Sequence, residues 1–265
     1  MSAHKKKSKE SSAPSRKINF IIPLTTLGII SILIVSSLFQ SSKNPLGKTV
    51  PKIDKELTVD SDLIDLPHPK RDSSTSVEKA LNNRRSYRNY QNDKPISFAS
   101  LSQLLWSAQG VTANWGGRTV TSTKSVYPLS IYIIANQVTD LQAGLYKYLP
   151  GDLQPTHQLY PIYQTDLQPT IIDNTDQYSL QHAPLILVIA GNMDKMTQAH
   201  QGLPCDTEVY LEAGQTAQNL FLQTESLKLG MTVVSSFDQE LIKEVLQIPQ
   251  EETLIYLIPI GHPKK

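Results

Sequence analysis

The sequence predicts an α+β domain, and three observations carry that prediction. Apolar, β-branched runs recur as LSIYIIA (129–135), LILVIA (185–190) and LIYLIPI (254–260), each of strand length. Between them lie stretches whose apolar residues fall at three- and four-residue spacing, with Ser or Asp in front and Gly or Pro behind. Neither GxGxxG after a strand nor GxxxxGK[ST] occurs, so neither a dinucleotide-binding fold nor a phosphate-binding P-loop is indicated.

In chain order, residues 1–17 form a basic tail, with Lys5, Lys6, Lys7, Lys9, Arg16 and Lys17 against one acid, Glu10. No charge follows from Ile18 through Ser42. The run 18–39 has 22 residues. That is enough to cross ~30 Å of hydrocarbon as a helix, and it reads as a transmembrane helix or signal anchor. Six positive charges precede it and four soon follow (Lys43, Lys48, Lys52, Lys55), which keeps the N-terminus cytoplasmic and places the rest outside, periplasmic or extracytoplasmic. Export with cleavage of a signal peptide is the alternative. Residues 40–74, with prolines at 45, 51, 67 and 69, read as a linker, and the folded domain is expected over 75–265.

Within that domain Thr75-Ser-Val-Glu78 has a capping-box pattern ahead of Val77, Ala80 and Leu81, which predicts a short helix. Ser97 caps a second helix carrying Leu101, Leu104, Leu105 and Ala108, with Gly110 to end it. Strands follow at 129–135, 144–148 and 185–190. Asp206 opens a long helix with Val209, Ala213, Ala217, Leu220 and Phe221 on one side, closed by Gly230. MTVV is the next strand. Asp238 caps a helix with Leu241, Ile242, Val245 and Leu246 inward, Pro249 ends it, and 254–260 is the final strand.

Composition excludes several functions. Lysine plus arginine number 25 against 24 acids, a formal net charge of +1, so no overall field draws the chain to nucleic acid. Cys205 is the single cysteine, which rules out an intramolecular disulfide and reads as structural. The six histidines show neither HxxxH nor HExxH spacing, so no metal site is expected, and no GxSxG elbow occurs.

Against that neutral background, Leu81–Tyr90 reads LNNRRSYRNY and sets Arg84, Arg85 and Arg88 within five residues. A guanidinium fork fits phosphate bidentately, so such a cluster suits a phosphorylated ligand, and a solvated helix face is the other reading.

The pieces NRRSYRNY, LSQLLWSAQGVT, SVYPLSIYIIA followed by GLYKY, and EAGQTAQNLFLQTESLKLGMTVVSSFDQELIKEVLQIP ending in YLIPIGHP occur in one order over about 77–263. Together they resemble the nitroreductase-like flavoproteins, most of all the SagB-type branch named for azoline dehydrogenases. The resemblance implies a mixed or antiparallel sheet surrounded by helices, a homodimer, and FMN as cofactor. It implies that Arg84, Arg85, Ser86 and Arg88 hold the FMN phosphate, with Arg85 the one that could pair with a carboxylate instead, and Lys264 joins the cofactor set. The family loop R-T-x-P-S-A-G-A-L-Y-P-L is matched by 118–129, so Arg118, Ser122, Ser125 and Tyr127 are expected along the ring and ribityl chain. Thr121 and Lys124 depart from that pattern. Lys124 either projects over the flavin as a positive charge or points to solvent.

The VVSSFD segment implies that Ser236 offers its backbone N–H to the flavin N5 region. The Lys-Tyr pair of the azoline dehydrogenases is missing, with His200 and Gln201 near its place, so His200 and Lys124 are the catalytic candidates. Two functions remain: an FMN oxidoreductase acting on a small conjugated or heterocyclic substrate with NAD(P)H or a quinol as electron donor, or a membrane-tethered flavin-binding or scaffold protein without turnover.

Overall fold

The fold follows from three strand runs that bury both faces of one sheet. A computed structural model describes residues 63–175 and 177–264. The basic tail, the anchor expected over 18–39 and the first part of the expected linker lie outside the described residues. Among the described residues no helix is long and apolar enough to cross a membrane.

The strands are β1 (Ile64–Asp65), β2 (Leu129–Ala135), β3 (Gly144–Gly151), β4 (Pro155–Tyr163), β5 (Leu185–Asn192), β6 (Gly230–Met231) and β7 (Glu252–Gly261). They form one sheet in the order β1-β4-β3-β2-β5-β7-β6, and every named pair is antiparallel. At its centre β2 meets β5 from Leu129 opposite Gly191 to Ala135 opposite Leu185. The helices are α1 (Val77–Asn83), α2 (Phe98–Gln109), α3 (Gln168–Asp173), α4 (Met193–Ala199), α5 (Asp206–Leu227) and α6 (Gln239–Leu246).

Alternation along β2 explains the layering. Ile131, Ile133 and Ala135 join one core with Leu101, Leu104 and Leu105 of α2 and Val209, Ala213 and Leu220 of α5. Tyr132 and Ile134 face the other side, with Ile171 of α3 and Ile242, Val245 and Leu246 of α6. Both faces are covered, so the central strands carry no polar side and read as continuous apolar runs.

The ends of several elements differ from the sequence reading. The cap of α1 is Ser76, whose side chain accepts from Lys79 N, one residue later than the Thr75 capping box predicted. Ser97 and Asp238 cap α2 and α6 as expected, accepting from Ser100 N and Leu241 N. The N-cap of α5 is Cys205, not Asp206, and the helix ends with Lys228 in the left-handed region (φ 58°), two residues before the expected Gly230. Gln247 (φ 49°) likewise closes α6 ahead of Pro249. MTVV contributes only the short β6 and an isolated bridge from Val234 to Leu257.

The helices α3 and α4 and two strands lie where the sequence reading placed none, and the strands show why. The first is β4, which follows a tight turn at Gly151 (φ 83°), where an added Cβ would stand 2.1 Å from Gln154 O. The second is β1, inside the span read as linker. Ile64 pairs with Leu159, Leu66 N donates to His157 O (3.1 Å), and Leu66 is buried.

A side-chain relay fixes the same segment. Ser102 Oγ has one proton and donates it to Pro67 O. His157 Nε2 therefore donates to Ser102 Oγ at 2.7 Å, and its Nδ1 accepts from the Tyr148 hydroxyl at 2.8 Å. Burial lowers the His157 pKa, which favours the neutral ring this arrangement needs.

Candidate functional site

The arginine block leaves α1 at its C-cap, Arg84, and runs along the free edge of the sheet. Ser86 bridges Met231 of β6, Tyr87 N donates to Met231 O (2.9 Å), and Lys264 N donates to Asn89 O (3.0 Å). Tyr90 pins the block from below, fully buried, with its hydroxyl on Tyr87 O (2.7 Å) and Pro259 O (3.0 Å). Burial raises its phenol pKa, so it stays a donor. Gly230 makes the approach possible, because a Cβ there would lie 2.7 Å from the Tyr87 ring.

This docking brings Arg84, Arg85, Ser86, Arg88 and Lys264 to one edge of the sheet. Arg84 stacks on Phe221 of α5, its guanidinium carbon 4.9 Å from the ring centroid. Arg85 donates to Asn82 O (2.9 Å) and Arg84 O (2.7 Å), so its partners are carbonyls and not the carboxylate considered from sequence. Among the described residues no acidic side chain pairs with Arg84, Arg85 or Arg88, and the only ion pairs are Arg118–Asp152 and Lys147–Glu252. Exposed Ser86, Arg88 and Lys264 therefore offer donors without internal acceptors. In the segment that follows β6, Ser235 and Ser236 keep their backbone N–H groups free of internal acceptors among the described residues, while Ser236 O accepts from Gln177 Nε2 (3.1 Å).

This donor set fits FMN. A phosphate near two negative charges takes guanidinium, hydroxyl and ammonium donors, and unoccupied backbone N–H groups suit the polar edge of a flavin ring.

The 118–127 loop lies elsewhere, held by three helices. Asn219 Nδ2 of α5 donates to Thr119 O (3.0 Å), and Thr121 Oγ1 donates to Gln215 Oε1 (2.8 Å). Lys195 Nζ of α4 donates to Tyr127 O (3.1 Å). Ser122 Oγ accepts from Tyr127 N (2.8 Å) and closes the turn. Lys124, Ser125 and Tyr127 all sit at positive φ (53°, 56° and 48°). Each such residue without a glycine costs roughly 1–2 kcal/mol, so the loop keeps this shape only because its surroundings over-determine it. The missing family glycine at 124 has thus not changed the backbone region. Lys124 is exposed and its Nζ donates to Ala199 O (3.0 Å), the last carbonyl of α4, which is the favoured end of a helix for a cation.

Arg118 opens the loop. Its guanidinium turns inward, donating to Gln109 Oε1 (3.3 Å) and Gly151 O (3.2 Å), and lies 4.3 Å above the Tyr127 ring. Burial lowers its pKa, opposed by Asp152, Tyr127 and Glu212. His200 caps α4 and donates Nδ1–H to Met196 O (2.9 Å), leaving Nε2 as an acceptor. Cys205 is buried and its thiol pKa is raised, first by desolvation and then by Glu208, which suits a structural thiol.

The arginine block and the loop meet α5 on opposite sides. Asn219 and Phe221 are two residues apart, about 200° around an α-helix. A groove of about 760 Å³ between α1, α2 and α5 is lined by Gln103, Trp106, Asn219 and Gln223, and by neither the arginine block nor 122–127. The face of α5 turned to solvent carries Tyr210 and Leu211 among the polar Asp206, Thr207, Gln215 and Gln218, with open space beside Gly214, and Val77 and Leu81 of α1 are exposed as well.

Comparison with known proteins agrees with this geometry. Residues 81–262 match the model of the Nitroreductase family. A protein of Methanocaldococcus jannaschii named as a nitroreductase is 33% identical over 186 residues, covering 70% of this chain and 90% of its own. A Ralstonia eutropha protein whose crystal structure is named likewise shares 28% identity with a TM-score of 0.65, over 79% of this chain and 93% of that one. The E. coli microcin synthetase complex contains a chain with the same fold, TM-score 0.57 at 17% identity, covering 91% of this chain and 94% of that one.

Proposed function

The chain belongs to the nitroreductase family, and from that premise we propose that it is an FMN-dependent oxidoreductase. It exchanges hydride between the flavin and a small conjugated or heterocyclic substrate, with NAD(P)H or a quinol as electron donor. The observation that carries this reading is the cluster of Arg84, Ser86, Arg88 and Lys264 at one sheet edge with no carboxylate partner among the described residues. Three guanidiniums packed within five residues repel one another, and a bound dianion relieves that repulsion.

In this reading Arg84, Ser86, Arg88 and Lys264 hold the phosphate, and the N–H of Ser236 meets the ring edge. Bound there, FMN supplies reversible two-electron exchange at its ring. The chain's part is to hold and orient: Arg84 is braced on Phe221, and the 118–127 loop is fixed by α2, α4 and α5. His200 Nε2, kept as an acceptor by the bond at Nδ1, is the proton-accepting atom in this reading. The blocks quoted above also favour the SagB-type branch, while the missing Lys-Tyr pair argues for a substrate other than a thiazoline.

The reading includes a homodimer. Because α5 stands between the arginine block and the loop, one copy's block and the other copy's loop together make one flavin site across the exposed face of α5 that carries Tyr210 and Leu211. The Leu211→Glu variant should run as a monomer by light scattering and lose most of its FMN, whereas wild type runs as a dimer. A monomeric wild type with a full flavin complement would refute the shared site.

The uncharged run 18–39 supports a membrane anchor with the domain outside the cytoplasm. Fusing residues 1–45 to a compartment-sensitive reporter tests the orientation, and reporter activity confined to the cytoplasmic side would reverse it.

The experiment that tests the function itself is the visible spectrum of the purified protein, followed by release of the chromophore and anaerobic reduction with NADH, NADPH and a quinol. A flavin spectrum with released FMN and turnover of any donor supports the enzyme. A colourless protein that takes up no added FMN points to the scaffold reading, and the departures at Thr121, Lys124 and Ser235 are the residues that favour it.

A further inference from the structure

Three buried polar atoms without a hydrogen-bond partner among the described residues lie around the base of the 118–127 loop: Glu212 Oε2, Arg118 Nε and Trp106 Nε1. Glu212 is the most enclosed of these residues, 2% exposed on the inner face of α5. Its Oε1 accepts from Gln109 Nε2 (3.0 Å), and Gln109, itself 1% exposed, passes its own oxygen to Arg118 (3.3 Å). Gln109 Nε2 also reaches Thr216 Oγ1 (3.3 Å). Arg118 in turn lies on the Tyr127 ring and takes the Tyr127 hydroxyl on its backbone N–H (3.2 Å). One carboxyl thus stands at the head of a chain of contacts that reaches both ends of the loop.

We propose that Glu212 is the positioning residue of the 118–127 loop, holding Arg118 through Gln109 and bracing the turn at Ser122 so that the ring end of the flavin site forms. The proposal rests on the flavin reading above. The surroundings suit such a role. Ser122, Gln109, Arg118 and Lys195 of α4 all favour the ionised carboxylate, and burial, the larger influence, raises the pKa against them. Asp152, Tyr127 and Tyr148 act on Glu212 only by way of Arg118, and Glu208 lies one turn earlier on α5.

Glu212 is therefore drawn toward the neutral acid, whose Oε2–H can donate into the loop. A carboxyl raised in the folded chain contributes fully below its unfolded pKa, and that contribution is lost as pH rises through the folded value. Glutamine reproduces the neutral acid at every pH; alanine removes it.

The test uses the full chain with Glu212→Gln and Glu212→Ala. Two quantities are followed from pH 5 to pH 9: hydrogen exchange of the flavin-free protein and FMN affinity by titration. In Glu212→Ala, exchange over 118–127 should rise about tenfold or more with the sheet unchanged, and FMN should bind at least about tenfold more weakly. Glu212→Gln should keep both within about threefold of wild type and should lose the pH dependence that wild type shows above the ordinary carboxylate range.

Unchanged exchange over the loop in Glu212→Ala overturns the proposal. So does a uniform rise across the sheet, which would mark a residue of general stability, and so does a Glu212→Gln as impaired as the alanine. If wild type itself takes up no FMN, the flavin reading fails, and the exchange result still decides whether Glu212 positions the loop.

Discussion

Arg84→Ala combined with Arg88→Ala should give a colourless protein. A hydrogen bond to a charged group contributes about 1.5–3 kcal/mol, and two such bonds to one phosphate correspond to roughly two to four orders of magnitude in FMN affinity. The exposure of Arg88 places the loss toward the lower end, because a solvated cation is screened. Folding should survive, since Tyr90 pins the block from beneath and neither arginine has an ion-pair partner to lose among the described residues. The checks are flavin content by absorbance and the unchanged thermal unfolding of the flavin-free form. Normal flavin content in the double variant would remove the phosphate assignment. Lysine at both positions should restore only part of the affinity, because it supplies the charge without the planar fork.

The second large effect is expected far from that site, on the opposite face of the sheet. Glu252, 6% exposed, accepts from Ser130 Oγ (2.8 Å), the Tyr132 hydroxyl (2.8 Å) and Lys147 Nζ (3.2 Å). Lys147 and Tyr132 are a cross-strand pair, with the ammonium 5.0 Å from the ring centroid. Burial raises the Tyr132 phenol pKa, with the Glu252 charge adding to it, so the hydroxyl remains a donor and needs its acceptor. Glu252→Ala leaves a buried hydroxyl and a half-buried ammonium unmatched, and should cost about 3–5 kcal/mol of unfolding free energy. Replacing the pair together, Lys147→Met with Glu252→Leu, should recover most of that loss, because apolar residues of similar volume leave no charge stranded. Urea unfolding of the three proteins measures both values. A cost under about 1 kcal/mol for the single variant would mean that water reaches Glu252 and the network adds little.

The features legible in the sequence share a physical cause. The strands 129–135 and 185–190 are buried on both faces, so nearly every residue is apolar, Ser130 being the polar exception, and the run could be seen. Caps such as Ser97 and Asp238 are local chemistry and were equally visible. What was missed depends on partners distant in sequence. PTHQLYPIY carries two prolines and alternates in exposure, yet it is β4, because Pro155 begins the strand and Pro161 stands opposite Tyr146, next to a register shift where a missing donor is tolerated. The two residues of β1 become a strand only because β4 offers an edge. In the site, the arginine block was legible from its own spacing. The inward turn of Arg118 was not, since it depends on Gln109 and Gly151 meeting it in space. Glu212 did leave a trace: it falls three residues after Val209 and directly before Ala213, an acid set into the apolar stripe of a helix.

The clamp on residues 64–67 also has a mechanical meaning. Tension applied from the N-terminal side of the described residues enters at β1, where two strand pairs and the Ser102–His157–Tyr148 relay take it up. In the sheet order β1 is one outer strand and β6, against which Ser86 docks, is the other. Six strand spacings of about 4.8 Å separate them, roughly 29 Å. A pull on the leading segment would therefore load the far margin of the sheet first and leave the arginine cluster at the opposite margin unstrained.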